Sequence, residues 1–107
     1  MLDLKNKVAL VTGAGTVGPG WGNGKATAVL LARQGAKVFG TDINLKAAEE
    51  TRAIIEKEGG ACTVRHCDMT VSDAVKAAVD ACVERYGRID ILVNNVGGSA
   101  PGGPVDM

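Results

Sequence analysis

The chain has 107 residues, 46% of them hydrophobic and 22% charged, which suits one compact domain with an adequate but not generous core. Twelve basic side chains balance twelve acidic ones. Neither sign forms a run able to hold a phosphate backbone or an anionic bilayer by charge alone, which argues against nucleic acid and membrane as partners.

Lys7 to Val11 is a short, mostly apolar run and reads as a first strand. The stretch VTGAGTVGPGWGNGKA, residues 11–26, follows with six glycines between Gly13 and Gly24 and the only tryptophan, Trp21. Ala26, Val29, Leu30 and Arg33 then recur at helical spacing until Gly35 stops them. Lys37 to Thr41 is the second strand. Asn44 can cap a second helix whose Ala47, Ala48, Thr51, Ile54 and Ile55 form one inward stripe, ended by Gly59 and Gly60. Ala61 to Cys67 is the third strand. Thr70 followed by Asp73 suggests a helix start, and Ala74, Val75, Ala78, Cys82 and Val83 form a third stripe that ends at Gly87. Ile89 to Val93 closes the series as a fourth strand, and residues 98–107 are a Gly/Pro-rich tail. The start, MLDLKNKVALVTG, lacks a signal-peptide pattern, and no stretch approaches the ~20 apolar residues that span a bilayer, so a cytoplasmic protein is expected.

Four short strands separated by three helices imply parallel pairing, because each crossover helix returns the chain to the same end of the sheet. Right-handed crossovers put the first two helices on one face and the third on the other, with strand order 3-2-1-4. The expected fold is α/β, a partial three-layer Rossmann-type sheet over residues 1–107. Its crevice lies where the order reverses, at the carboxyl ends of strands one and four, and both the glycine turn and NNVGG after strand four fall there.

Each glycine loses more freedom on folding than any other residue, so six in one turn imply that the backbone itself is needed there. Glycines between a first strand and its helix let the main chain approach a diphosphate, and the helix start offers partial positive charge. An acidic residue about twenty positions on, after the second strand, completes the dinucleotide pattern. Asp42 sits eighteen residues past Gly24, where its carboxylate can accept hydrogen bonds from both adenosine ribose hydroxyls. A 2'-phosphate there would meet like charge, which favours NAD over NADP.

Three cysteines argue against a disulfide framework. Cys62, His66, Cys67 and Asp68 fall close together, but on a strand His66 and Cys67 point to opposite faces. Cys62 and His66 share a face yet lie ~13 Å apart. No metal site is expected, and the thiols read as small buried hydrophobes. His66 stands two strands from the crevice. Tyr86 reads as a half-buried packing residue at a helix end.

The run Thr12-Gly13-Ala14-Gly15 with Gly22-Asn23-Gly24, the pair Thr41-Asp42, the pair Cys67-Asp68, and Asn94-Asn95-Val96-Gly97 together resemble the short-chain dehydrogenase/reductase family. The likeness covers nearly the whole chain, in order. It implies an oxidoreductase that interconverts alcohol and carbonyl with a nicotinamide cofactor. By the same resemblance Asp68 meets the adenine, Asn94 helps stabilise the central sheet, and Gly97 lines the cofactor cleft.

Two departures stand out. The family's turn has the form TGxxxGxG, whereas about five extra residues, within Thr16 to Trp21, separate Gly15 from Gly22-Asn23-Gly24 here. A longer turn also occurs in the family's enoyl reductases, which keeps that alternative open. Trp21 reads as a hydrophobic plug on the first helix in preference to a lid over the diphosphate. The family's catalytic serine, asparagine, and tyrosine and lysine four apart lie beyond the fourth strand, so no catalytic group is named and no turnover by residues 1–107 alone is expected. The fold would continue past the tail. The fourth strand would then be an edge with apolar faces, covered by the missing C-terminal half or by a second copy in a homo-oligomer. A noncatalytic dinucleotide-binding module and a self-associating fragment are the readings from other classes.

Overall fold

The computed structural model describes residues 4–15, 24–68 and 72–94. Within them the chain forms β1 (Val8–Thr12), α1 (Gly24–Arg33), β2 (Lys37–Asp42), α2 (Leu45–Lys57), β3 (Cys62–His66), α3 (Ser72–Tyr86) and β4 (Ile91–Asn94). The strands make one parallel sheet in the order β3-β2-β1-β4, the order the crossovers require.

β1 is buried at every position because it has a neighbour on each edge and a helical layer on each face. Its side chains alternate between two cores, as the period of two demands. Ala9 and Val11 join Ala28, Val29, Val38, Ile55 and Cys62 in the layer of α1 and α2. Val8 and Leu10 join Phe39 and Cys82 under α3. Each fully buried Val or Leu contributes ~1.5–3 kcal/mol, so β1 is the element around which the rest packs.

Asn44 caps α2 by accepting the Ala47 amide hydrogen at 3.2 Å. All three helical faces differ in part from the sequence reading. In α1 the buried face is Gly24, Ala28 and Val29, while Ala26, Leu30 and Arg33 face outward, Leu30 with 56% of its surface exposed. Contact with the glycine turn sets this rotation, since Gly24 lies directly on it. In α2 Ile54 is exposed, and in α3 so is Val83.

β4 begins at Ile91, two residues later than the apolar run suggests. Asp90 explains the delay. Its carboxylate Oδ2 accepts the Val8 amide hydrogen at 2.9 Å, while its own amide donates to the Val8 carbonyl at 2.9 Å. A side chain thus takes the place of a ladder carbonyl at the strand's entry. Ile91 and Val93 pack on the α1/α2 layer, whereas Leu92, on the α3 side of an edge strand, is 64% exposed.

Candidate functional site

The register brings Thr12, Thr41 and Asn94 level at the carboxyl ends of β1, β2 and β4. Thr12 donates its hydroxyl hydrogen to Asn94 Oδ1 at 2.9 Å, tying the central strand to the edge strand. Gly13 follows with φ of 64°, a left-handed conformation that glycine adopts without a Cβ penalty, and it turns the chain across the top of β2. There the Ala14 amide donates to the Thr41 carbonyl at 2.9 Å.

The next peptide unit is held at both ends. The Ala14 carbonyl accepts the Thr51 hydroxyl at 3.0 Å, and the Gly15 amide donates to Asp42 Oδ2 at 2.9 Å, both bonds buried. Asp42 is only 7% exposed, and its Oδ1 accepts the Asn44 amide hydrogen at 2.9 Å. Its main-chain carbonyl accepts the Cys67 amide at 3.0 Å, which joins the end of β3 to the same corner.

Close approach explains the glycines. A Cβ on Gly24 would lie 1.8 Å from the Gly13 carbonyl oxygen, and one on Gly15 would lie 2.4 Å from the Ala47 carbonyl carbon. The first residue of α1 and the first turn of α2 therefore both rest on the turn. Gly40 in β2 leaves room for Ala14, since a Cβ there would come 2.8 Å from the Ala14 methyl. This arrangement aims the positive end of α1 at the crevice, where an anion would be stabilised.

Of the sequence-derived site residues, Gly13, Gly15, Gly24, Asp42 and Asn94 converge on this corner, and Asp68 follows β3, half-buried. Gly22, Asn23 and Gly97 lie outside the described residues, as do Trp21 and the lengthened part of the turn. Two of these residues make contacts that the sequence did not announce. The Gly15 amide faces Asp42, and the residue lies close against the start of α2. The Asp42 carboxylate, expected to face ribose hydroxyls, already takes two main-chain amides. A carboxylate has about four lone-pair sites, so room remains on it for hydroxyl donors. Thr51 and Gly40 were missed as site residues, because Thr51 fits an apolar stripe and Gly40 sits inside a strand pattern.

The residues set aside on sequence grounds lie elsewhere. Tyr86 ends α3 with its hydroxyl 2.9 Å from Thr63 Oγ1, near the amino end of β3 and away from the crevice. Burial, more than any neighbour, pushes its pKa up. All three cysteines are buried thiols outside any disulfide, and burial pushes the Cys62 thiol up to about 12. Among the described residues no helix is long and apolar enough to cross a membrane.

A family model described as short chain dehydrogenase matches residues 7–106. The uncharacterized oxidoreductase YxbG of Bacillus subtilis (strain 168) is 43% identical over 109 residues, covering 97% of this chain and 38% of that protein. The 7alpha-hydroxysteroid dehydrogenase of Escherichia coli (strain K12) is 40% identical over 106 residues, covering 99% of this chain and 39% of that protein. A solved 7alpha-hydroxysteroid dehydrogenase, complexed with NADH and 7-oxo glycochenodeoxycholic acid, superposes with a TM-score of 0.83 at 39% identity, covering 98% of this chain and 39% of that one. The chain thus spans about two fifths of the length of the relatives it matches.

Proposed function

The chain belongs to the short-chain dehydrogenase family, and on that premise we propose that residues 1–107 are the NAD(H)-binding portion of an oxidoreductase interconverting an alcohol and a carbonyl. The observation that carries this reading is the glycine corner. Two positions where any Cβ would strike main chain, Gly15 and Gly24, flank the start of α1, with Asp42 at the tip of the neighbouring strand. Backbone laid this close to a helix start suits a diphosphate.

In this reading Gly13, Gly22, Asn23 and Gly24 form the cradle, and Gly15 seats it on α2. Asp42 accepts the ribose hydroxyls with its remaining lone pairs and disfavours a 2'-phosphate, so NAD is preferred to NADP. Asp68 meets the adenine. Asn94 braces β1 through Thr12, and Gly97 lines the cleft. The nicotinamide, when bound, supplies or takes the hydride. Residues 1–107 hold that cofactor and leave proton transfer to other groups.

Among the described residues β4 is the last strand of the sheet and Leu92 is exposed, which calls for a covering partner, either further residues of the same fold or a second copy. Three buried thiols outside any disulfide suit a reducing, cytoplasmic setting. Titration calorimetry of the folded protein with NADH, NAD and NADPH tests the proposal. Heat with the first two and weaker heat with NADPH is expected; a folded sample silent to NAD and NADH rejects it.

A further inference from the structure

We propose that Thr51 is a positioning residue for the dinucleotide site, holding the Ala14–Gly15 peptide in the one orientation that turns its amide toward Asp42. The inference rests on the cofactor reading above.

Thr51 is fully buried on α2. Its hydroxyl carries one hydrogen and has two acceptors: the Ala14 carbonyl at 3.0 Å, and the Ala47 carbonyl one turn back in its own helix at 3.3 Å. The second is the partner a helical threonine finds by default. The first is shorter and reaches 37 residues back along the chain.

A peptide unit is planar, so fixing its oxygen also fixes the opposite direction of its N–H. Thr51 at the Ala14 oxygen and Asp42 at the Gly15 nitrogen therefore grip one rigid plate from both sides. The plate has reason to be gripped. With glycine at position 15, rotation of this peptide meets a Cβ on its Ala14 side only, so local sterics restrict its orientation less than they would between two larger residues. A reversed plate would point the Ala14 oxygen at the Asp42 carboxylate, which only accepts, and would send the Thr51 hydroxyl back to the Ala47 carbonyl alone. Repulsion from that oxygen would displace the carboxylate proposed to accept the ribose hydroxyls, which is how the orientation of this peptide bears on the cofactor. Thr51, donating to the carbonyl while Asp42 accepts from the amide, stabilises the carbonyl-inward orientation from the helix side.

The test is NADH affinity of the full chain carrying Thr51→Val, Thr51→Ser or Ile55→Val, followed by fluorescence titration. Losing one buried hydrogen bond is expected to weaken binding about five- to tenfold in Thr51→Val. Thr51→Ser, which keeps the hydroxyl, is expected to restore affinity to within about twofold of wild type on the same scale. Ile55→Val cuts the same core one turn further along α2 and is expected to leave affinity unchanged. In cofactor-free protein, Thr51→Val is also expected to speed hydrogen exchange at the Gly15 amide beyond what its global unfolding explains. Should Thr51→Val not fold, Thr51→Ala carries the same expectations. Unchanged NADH affinity and Gly15 exchange in Thr51→Val overturn the proposal, as does equal weakening by Ile55→Val. A folded wild type that binds no NADH removes the cofactor reading and this inference with it. The Gly15 exchange rates then still report whether Thr51 holds the peptide, so the two failures are told apart.

Discussion

Gly15 and Asp42 are joined by a buried amide-to-carboxylate hydrogen bond of 2.9 Å, although 27 residues separate them. The carboxylate proposed to recognise the ribose is therefore also the support on which the glycine turn rests. Asp42→Ala removes both functions. A charge-assisted bond is worth ~1.5–3 kcal/mol, so NADH affinity is expected to fall roughly ten- to a hundredfold. The ratio of NADPH to NADH affinity is expected to rise, because the like charge facing a 2'-phosphate is gone. Parallel titrations with the two cofactors measure both effects.

The two closest approaches predict an order of damage. Gly24→Ala drives a methyl into the Gly13 carbonyl oxygen, and Gly15→Ala drives one into the start of α2. Both obstacles are main chain, so neither is relieved by a rotamer change. Each substitution is expected to cost about 1–3 kcal/mol or more by overpacking. Gly24→Ala, the tighter of the two, is expected to lower the melting temperature further in thermal unfolding followed by circular dichroism.

Asp90 makes stability depend on pH. The Val8 amide, and after it the Arg88 guanidinium, hold its carboxyl below the usual carboxylate range, although partial burial works the other way. A folded-state value below the unfolded one means that the native protein binds fewer protons. The stabilisation is then complete above the ordinary Asp value of about 3.9 and disappears as pH falls through the folded value. Wild type is expected to exceed Asp90→Asn in stability by a constant margin near neutral pH. That margin shrinks in acid, which denaturant melts at a series of pH values would reveal.

The thiols offer a check on the core. Cys62, Cys67 and Cys82 are all buried, and burial raises the pKa of each. A thiol-specific reagent near pH 8 is expected to label native protein slowly and to find three thiols on addition of denaturant. Rapid labelling of one cysteine in the native state would show that its layer is looser than described.

The strand order and the layer of each helix were legible because they follow from alternating elements and the handedness of crossovers, which are local rules. Asn44 announced its helix start for the same reason. The face of α1 was not legible. Leu30 and Val29 are equally apolar on paper, and only the contact between Gly24 and Gly13 decides which points inward. Thr51 was hidden more deeply. Its spacing fits a buried stripe, and its partner at Ala14 becomes a neighbour only when β2 and α2 are folded back beside the turn. Asp90 likewise sits inside an apolar run, where a carboxylate receiving a strand amide leaves no periodic trace.

The two flanks of the sheet are unequally anchored. On one, Ala28, Val29, Ala48, Thr51 and Ile55 seat α1 and α2 deeply; on the other, α3 seals its side with Ala78 and Cys82 as its buried residues. Fluctuations short of global unfolding are therefore expected to release α3 before the flank that supports the Gly15 corner, which amide hydrogen exchange would show. Opening on that side would leave the grip on the other in place.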